Sequence, residues 1–305
     1  LEPTPEAFIG HLVIVFREVK RVLREDGTLW LNLGDSYAAS SQGPQGNSDL
    51  ASPYKLAVNA KRRSSTLVDG LKAKDLIGIP WRAALALQAD GWYLRSEVIW
   101  AKPNPMPESV TDRPTKAHEQ VFLLSKSPRY FYDADAVREP LVKGAAGRVQ
   151  DGEREDNPAG RNMRTVWTIA TRPSLVSHFA VMAPDLAERC IKAGTSEFGC
   201  CPECGSPWER IVERIGTPRE RSGLHNNVPG RTGNGVSGLS NMSGAKLLSW
   251  KLQNPDKMLG SRPSCSHDIV PVPCRVLDPF GGSGTTASVA IYLKREGTIC
   301  EPNGE

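Results

Sequence analysis

No stretch of the 305 residues approaches the roughly eighteen uninterrupted apolar positions of a membrane-spanning helix. The amino terminus, Leu1-Glu2-Pro3-Thr4-Pro5-Glu6, has neither the basic start nor the apolar run and cleavage site of a secretory signal. Export and membrane insertion are therefore not expected, and a cytoplasmic protein is. Charge of one sign is also scarce: 38 Lys and Arg against 34 Asp and Glu leave a net +4, so a nucleic-acid partner must be argued from local clusters. An even set of cysteines is missing too. The seven present, mostly after residue 190, do not suit a secreted disulfide framework and fit a reducing compartment with a metal or free thiols. What is there is 39% hydrophobic and 24% charged, enough to build and cover one large domain or two ordinary ones. Position 1 is not Met, and Asn303-Gly304-Glu305 follows a strand-like run with no closing helix, so the chain reads as a piece of something longer.

Periodicity places helices and strands in alternation. Thr4-Pro5 predicts a helix start, with the hydroxyl as N-cap and the proline where its missing N–H is harmless. Ile9, Leu12, Val13, Phe16, Val19 and Leu23 then recur at helical spacing until Asp26-Gly27. Thr28 to Leu33 is a short, nearly all-apolar strand of the kind buried on both faces of a parallel sheet. Gly78-Ile79-Pro80-Trp81 opens a second helix that Gly91 closes, and Tyr93 to Trp100 and Glu119 to Leu124 read as strands around the proline-rich turn 103–107. Pro184 to Lys192 is a third helix. The carboxyl end reads as strand Arg275 to Asp278, a glycine loop, helix Thr285 to Lys294 and strand Thr298 to Glu301. Residues 38–74 and 140–165 are polar and aperiodic, the first expected to be a functional or mobile loop, and 217–244 is a Gly/Ser/Asn-rich insert expected to be flexible. The alternation implies an α/β layer architecture.

Val276-Leu277-Asp278-Pro279-Phe280-Gly281-Gly282-Ser283-Gly284-Thr285-Thr286 is the most informative segment. A strand that breaks into glycines and enters a helix lets a ligand approach the backbone and the exposed N–H groups of the helix. Glu301, at the end of the next strand, is placed to accept hydrogen bonds from ribose hydroxyls. Together these describe a nucleoside-cofactor site. Gly282-Ser283-Gly284-Thr285-Thr286-Ala287 also fits G-x-G-x-x-[G/A], so a nicotinamide or flavin dinucleotide is a rival. Such a domain needs further strands after the loop, and only 18 residues follow Ala287. The missing strands must be the earlier ones, which predicts a permuted doubly wound sheet.

Cys201-Pro202-Glu203-Cys204 with Cys265-Ser266-His267 offers three thiolates and an imidazole, the ligand set of a closed tetrahedral zinc site; unmetallated thiols are the alternative. The 60 residues between the pairs are long for a zinc ribbon, and the polar insert accounts for the excess.

Leu29-Trp30-Leu31-Asn32-Leu33-Gly34-Asp35-Ser36-Tyr37, Arg95-Ser96-x-x-Ile99-Trp100-x-Lys102-x-Asn104-x-x-Pro107-Glu108, Asp112-Arg113-Pro114-x-x-x-His118-Glu119, His178-Phe179-Ala180 and the Asp278 to Thr286 loop together resemble the permuted, beta-class amino methyltransferases of DNA. The resemblance implies a doubly wound Rossmann-like sheet with permuted motif order and S-adenosylmethionine as cofactor. Phe280, Gly282, Gly284 and Thr285 would form its loop, Asp278 would support that loop, Glu301 would bind the ribose, and His178 and Phe179 would lie against the methionine end. The family's Asp- or Ser-Pro-Pro-aromatic segment, which holds the target amino group, has no match here; its expected place is before Leu1, so a truncated chain is expected. Asp35, with Tyr37 beside it, is the nearest remaining polar group to the active site, though a capping Asp fits equally. Trp81, Trp100 and Trp167 are either base-stacking platforms or core aromatics. Lys61-Arg62-Arg63, Lys102, Asn104, Arg113, Lys116, Arg161 and Arg164 are candidate contacts to double-stranded DNA.

The expected organisation is a catalytic half at 1–139, a candidate target-recognition loop at 140–165, a cofactor-binding half from 166–199 and 274–305, and a zinc-knuckle insert at 200–273. The expected function is methyl transfer to an exocyclic amino group of DNA in a bacterial or phage-infected cell, leaning to cytosine N4 over adenine N6. A catalytically incomplete DNA-binding fragment is the alternative from another class.

Overall fold

A computed structural model describes residues 2, 4–38, 70–139, 160–172, 182–213, 253–254 and 256–301. Most of the loop expected at 38–74, residues 140–159 of the candidate recognition loop and all of 217–244 lie outside the described residues. The chain divides into two compact units, Leu1–Phe131 with Thr165–Phe179, and Tyr132–Arg164 with Ala180–Glu305.

In the first unit, α1 (Pro5–Val22) begins where Thr4 Oγ1 accepts the N–H of Ala7 at 3.2 Å, and it buries the stripe Ile9, Leu12, Phe16 and Val19. α2 (Ile79–Ala89) starts from left-handed Gly78 and buries Ala83, Ala84 and Leu87. These faces share one core with Leu31, Trp92, Phe122 and Leu124. Fully burying each large apolar side chain contributes about 1.5–3 kcal/mol, and this cluster is what makes the marginal individual helices stable.

The strands of this unit are β1 (Thr28–Leu33), β2 (Tyr93–Ala101), β3 (His118–Ser125) and β4 (Val166–Thr168), in the order β1-β3-β2-β4. β3 pairs antiparallel with both β1 and β2, and β4 runs parallel to β2. This corrects the expectation for β1. Among the described residues it lies at the edge of the sheet, in an antiparallel pair, and only Leu31 of its six residues is buried. The apolar run that occupies the centre is Val121, Phe122, Leu123 and Leu124 of β3, all buried, followed by buried Ser125.

In the second unit, α3 (Pro184–Gly194) packs Ala187 and Ile191 against Ala290 of α4 (Thr285–Tyr292). β5 (Trp208–Glu213) and β6 (Lys257–Pro263) form an antiparallel pair that the sequence pattern did not reveal. β7 (Arg275–Asp278) and β8 (Glu296–Ile299) are parallel and joined through α4, a βαβ connection. α4 stops two residues before the expected Lys294 because Lys294 adopts a left-handed φ of 61°. β8 accordingly starts earlier, at Glu296 rather than Thr298. The turn is anchored by buried Arg295, which donates to Thr195 Oγ1 at 3.1 Å and whose pKa burial pushes down.

The described elements are mixed α/β. No described helix is long and apolar enough to cross a membrane.

Candidate functional site

Strand β7 ends at Asp278, and its carboxylate organises the loop that follows. Oδ1 accepts the N–H of Phe280 at 3.0 Å and Oδ2 the hydroxyl of Thr286 at 2.6 Å. The backbone of Cys300, just after β8, holds the loop from the other side: Cys300 N–H donates to Asp278 O and Gly281 N–H donates to Cys300 O, both at 2.9 Å. Gly282 and Gly284 take φ of 49° and 75°, conformations that side chains resist, and Gly284 caps α4 with no side-chain hydrogen bond. The N–H of Gly282 reaches Glu301 Oε2 at 2.8 Å. Thr285 Oγ1 lies 3.1 Å from Ser283 Oγ. Phe280 is 55% exposed beside these glycines. One glycine that the motif did not single out matters as much: a Cβ on Gly297 of β8 would lie 2.8 Å from Ala287 Cα, so this strand and α4 meet at a distance only glycine permits. His178 and Phe179 lie outside the described residues.

The other candidate groups lie in the first unit or are tied into local structure. Asp35 Oδ1 accepts from the backbone N–H groups of Ser36 and Gly78 at 2.9 Å and of Ile79 at 3.0 Å. Its carboxylate thus serves as the N-cap that Gly78 cannot supply to α2. Tyr37 bridges to Leu76, and the guanidinium of Arg113 sits 4.1 Å over its ring while bonding Glu108 at 2.6 Å. Lys102 pairs with Glu119 and lies 4.3 Å from the centre of the Trp100 ring. Asn104 is bound twice to the Thr171 backbone at 3.0 Å. Arg164 and Arg161 both clasp Glu139, at 3.0 and 3.2 Å, and Arg164 remains 60% exposed. Arg62 and Arg63 lie outside the described residues.

Of the three tryptophans, Trp100 and Trp167 are core: Trp100 Nε1 donates to Ile169 O at 2.9 Å, and Trp167 is buried 5.8 Å from Trp30. Trp81 is 41% exposed and meets Phe122 edge to face.

In the second unit, Cys201, Cys204, Cys265 and His267 converge, with their ligand atoms all within 4.8 Å of one another. His267 Nδ1 lies 3.5 Å from Cys201 Sγ. The Ser206 hydroxyl and backbone N–H hold the Cys204 thiol down at about 6. The backbone N–H of Cys204, and against the cost of burial that of Glu203, lowers the Cys201 thiol. For Cys265 the N–H of His267 favours the thiolate, but burial and the neighbouring sulfurs outweigh it and hold the pKa up. Hydrogen bonding to the Cys204 and Cys201 sulfurs raises that of His267. Sequence reasoning found these four residues but not Glu203, whose Oε2 lies 3.3 Å from His267 Nε2; its place between the two cysteines of the first pair was the available signal.

The chain is 47% identical over 195 residues to the Type II methyltransferase M.Cfr9I of Citrobacter freundii, covering 64% of this chain and 59% of that protein. It is 48% identical over 195 residues to the Type II methyltransferase M.XycI of Xanthomonas campestris pv. cyanopsidis, with the same coverage of 64% and 59%. The chain thus spans about six-tenths of the length of these curated relatives. Among solved structures, the PvuII DNA methyltransferase (cytosine-N4-specific) aligns with a TM-score of 0.50 at 13% identity, covering 97% of this chain and 67% of that one, a likeness of fold. Residues 2–201 match the sequence profile of the N6_N4_Mtase family, and the chain belongs to this family of DNA methylases.

Proposed function

We propose that the protein transfers a methyl group from S-adenosylmethionine to an exocyclic amino group of double-stranded DNA, cytosine N4 in preference to adenine N6. The observation that carries this reading is the β7–loop–α4–β8 unit, in which Asp278 shapes a glycine loop and Glu301 meets the Gly282 N–H at 2.8 Å. The loop fits a nucleoside cofactor: its glycines bring backbone rather than side chains to the surface, and the start of α4 carries no side-chain cap. Phe280, Gly282, Gly284 and Thr285 would line the cofactor, Glu301 would accept from the ribose hydroxyls, and His178 and Phe179 would complete the methionine end. Family membership favours this cofactor over a nicotinamide or flavin dinucleotide.

When bound, S-adenosylmethionine supplies an electrophilic methyl on sulfonium; the carbon–sulfur electrons stay with sulfur, the amino nitrogen forms the new bond and an amino proton is released. The protein's task is then to take the base out of the stack and orient its amino nitrogen. The organisation proposed with this reading is a permuted doubly wound sheet, a catalytic half at 1–139, a cofactor half at 166–199 and 274–305, a recognition loop at 140–165 and an insert at 200–273. Arg62, Arg63 and exposed Arg164 are the basic groups proposed to meet phosphates. The preference for cytosine N4 is supported by the name of the PvuII neighbour. The Cys–His cluster, suited to a structural zinc, takes no part in the chemistry, since three thiolates and an imidazole leave no open position for a reactant.

Calorimetric titration tests the cofactor: S-adenosylmethionine is expected to bind and NAD not to compete, and tight NAD binding would overturn the reading. Mass spectrometry of nucleosides from DNA methylated by the protein is expected to show N4-methylcytosine. N6-methyladenine alone would reverse the base preference and leave the reaction class standing.

A further inference from the structure

We infer that Cys201, Cys204, Cys265 and the Nδ1 of His267 hold one structural Zn2+, with the Glu203 carboxylate as the outer partner of His267 Nε2. The geometry is most specific at His267. Zn–S of about 2.3 Å and Zn–N of about 2.0–2.1 Å at tetrahedral angles set an S···N edge of roughly 3.6 Å, and His267 Nδ1 lies 3.5 Å from Cys201 Sγ. The whole set, within 4.8 Å, needs only a small contraction to close on an ion. Nδ1 faces the sulfur while Nε2 faces Glu203 at 3.3 Å, the carboxylate–histidine–zinc arrangement that fixes which nitrogen is the ligand.

The backbone is already shaped for thiolates. N–H groups of Cys204 and Glu203 point at the Cys201 sulfur, that of Ser206 at Cys204 and that of His267 at Cys265. Gly205, with φ of 71°, closes the knuckle, and its N–H bonds Cys201 O at 2.8 Å. Cys201 N–H in turn donates to Ser206 O at 2.8 Å. These turns repeat the hydrogen bonding of a metal knuckle.

The ligand pairs also sit where a tie is useful. They bracket the β5–β6 hairpin, whose base is the pairing of Trp208 with Pro263, and Cys200 bridges both Pro207 and Val272 beside them. One ion would lock the two ends of this hairpin together, and it would do so whether or not the methyl-transfer reading holds. Binding converts the thiols to thiolates and releases their protons to solvent.

The test uses the full chain, purified under reducing conditions without chelator. About one zinc per chain is expected, and Co2+ in its place should give the intense visible spectrum of a tetrahedral thiolate site saturating at one equivalent. Cys204→Ser and Cys265→Ser should abolish that spectrum, and Cys300→Ser should leave it unchanged. Because these variants can unfold, alkylation of the unsubstituted protein gives an independent reading: zinc should protect Cys201, Cys204 and Cys265, and chelator should expose them. Glu203→Gln should weaken zinc binding about 10- to 100-fold. Failure to take up either metal, an octahedral cobalt spectrum, or protection that maps to Cys200 and Cys274 would overturn the site; unchanged affinity in Glu203→Gln would overturn the role of Glu203.

Discussion

Glu301 Oε2 accepts the backbone N–H of Gly282 at 2.8 Å across nineteen residues of sequence, so the acid that follows β8 and the loop after β7 are one unit. The carboxylate therefore carries two duties in the proposed site, steadying the loop and accepting from the ribose. Glu301→Ala removes both, and loss of hydrogen bonds to a charged group costs about 1.5–3 kcal/mol, or roughly 10- to 150-fold in affinity for S-adenosylmethionine. Glu301→Gln keeps an acceptor oxygen and should lose less. Isothermal titration of both variants checks this, and unaltered binding in the Ala variant would leave Glu301 with the loop alone.

Two glycine-to-alanine changes should move stability in opposite directions. At Gly297 the added Cβ would lie 2.8 Å from Ala287 Cα and 3.0 Å from Ala287 O, contacts that backbone must shift to relieve. Overpacking of this kind costs about 1–3 kcal/mol. At Gly10, exposed on α1, nothing lies within 4 Å, and alanine should stabilise the helix by about 0.5–1 kcal/mol. Denaturant unfolding should therefore show the midpoint falling for Gly297→Ala and rising for Gly10→Ala. A neutral Gly297→Ala would mean that the strand and helix separate at little cost.

Asp35 separates a structural duty from a chemical one. Its Oδ1 caps α2 through Gly78 and Ile79, and losing such a cap costs about 0.5–2 kcal/mol. Asp35→Ala should lower the melting temperature, and Asp35→Asn, which keeps an acceptor oxygen, should do so less. Methyl transfer measured on the same variants should follow stability. If Asp35→Asn melted like the unsubstituted protein yet lost transfer, Asp35 would have a direct part in the chemistry.

The elements most legible in the sequence were those whose signals are local. Thr4-Pro5 with an apolar stripe placed α1, and Asp278-Pro279 after an apolar run placed β7 and its loop. What escaped was set by partners distant in sequence. Thr28 to Leu33 looks like a central strand, but centrality is decided by what pairs on either side, and β3 took the middle of the sheet. β4 is three residues long and owes its pairing to β2, while β5 and β6 find each other across more than forty intervening residues. In the candidate sites the convergence of Cys201, Cys204, Cys265 and His267 and the left-handed turn at Gly282 and Gly284 were legible, because paired cysteines and clustered glycines leave local marks in a sequence. The partners of Lys102 and Asn104 were not legible, because a cation or an amide in a motif does not disclose that Glu119 or the Thr171 backbone lies beside it.

Glu139 gives the pH dependence a sign. Burial opposes its ionisation, but the Arg164 N–H at 3.3 Å, the Arg164 guanidinium at 3.0 Å and Arg161 at 3.2 Å outweigh that cost and lower its pKa. Glu139 and Arg161 also exchange backbone hydrogen bonds at 2.9 and 2.8 Å, so the charges are held on a fixed frame. A folded-state pKa below the unfolded one means that the folded state binds fewer protons. The stabilisation is then complete above the unfolded carboxylate pKa of about 4.3 and disappears as pH falls through the lower folded value. Glu139→Gln removes the charge at every pH. The unsubstituted protein should therefore melt higher than Glu139→Gln at neutral pH, with the gap narrowing as the solution is acidified below that range and added salt narrowing it further. Thermal melts of the two proteins across that range measure the difference directly. A gap that stays constant with pH would show that Glu139 holds this segment by packing rather than by its charge.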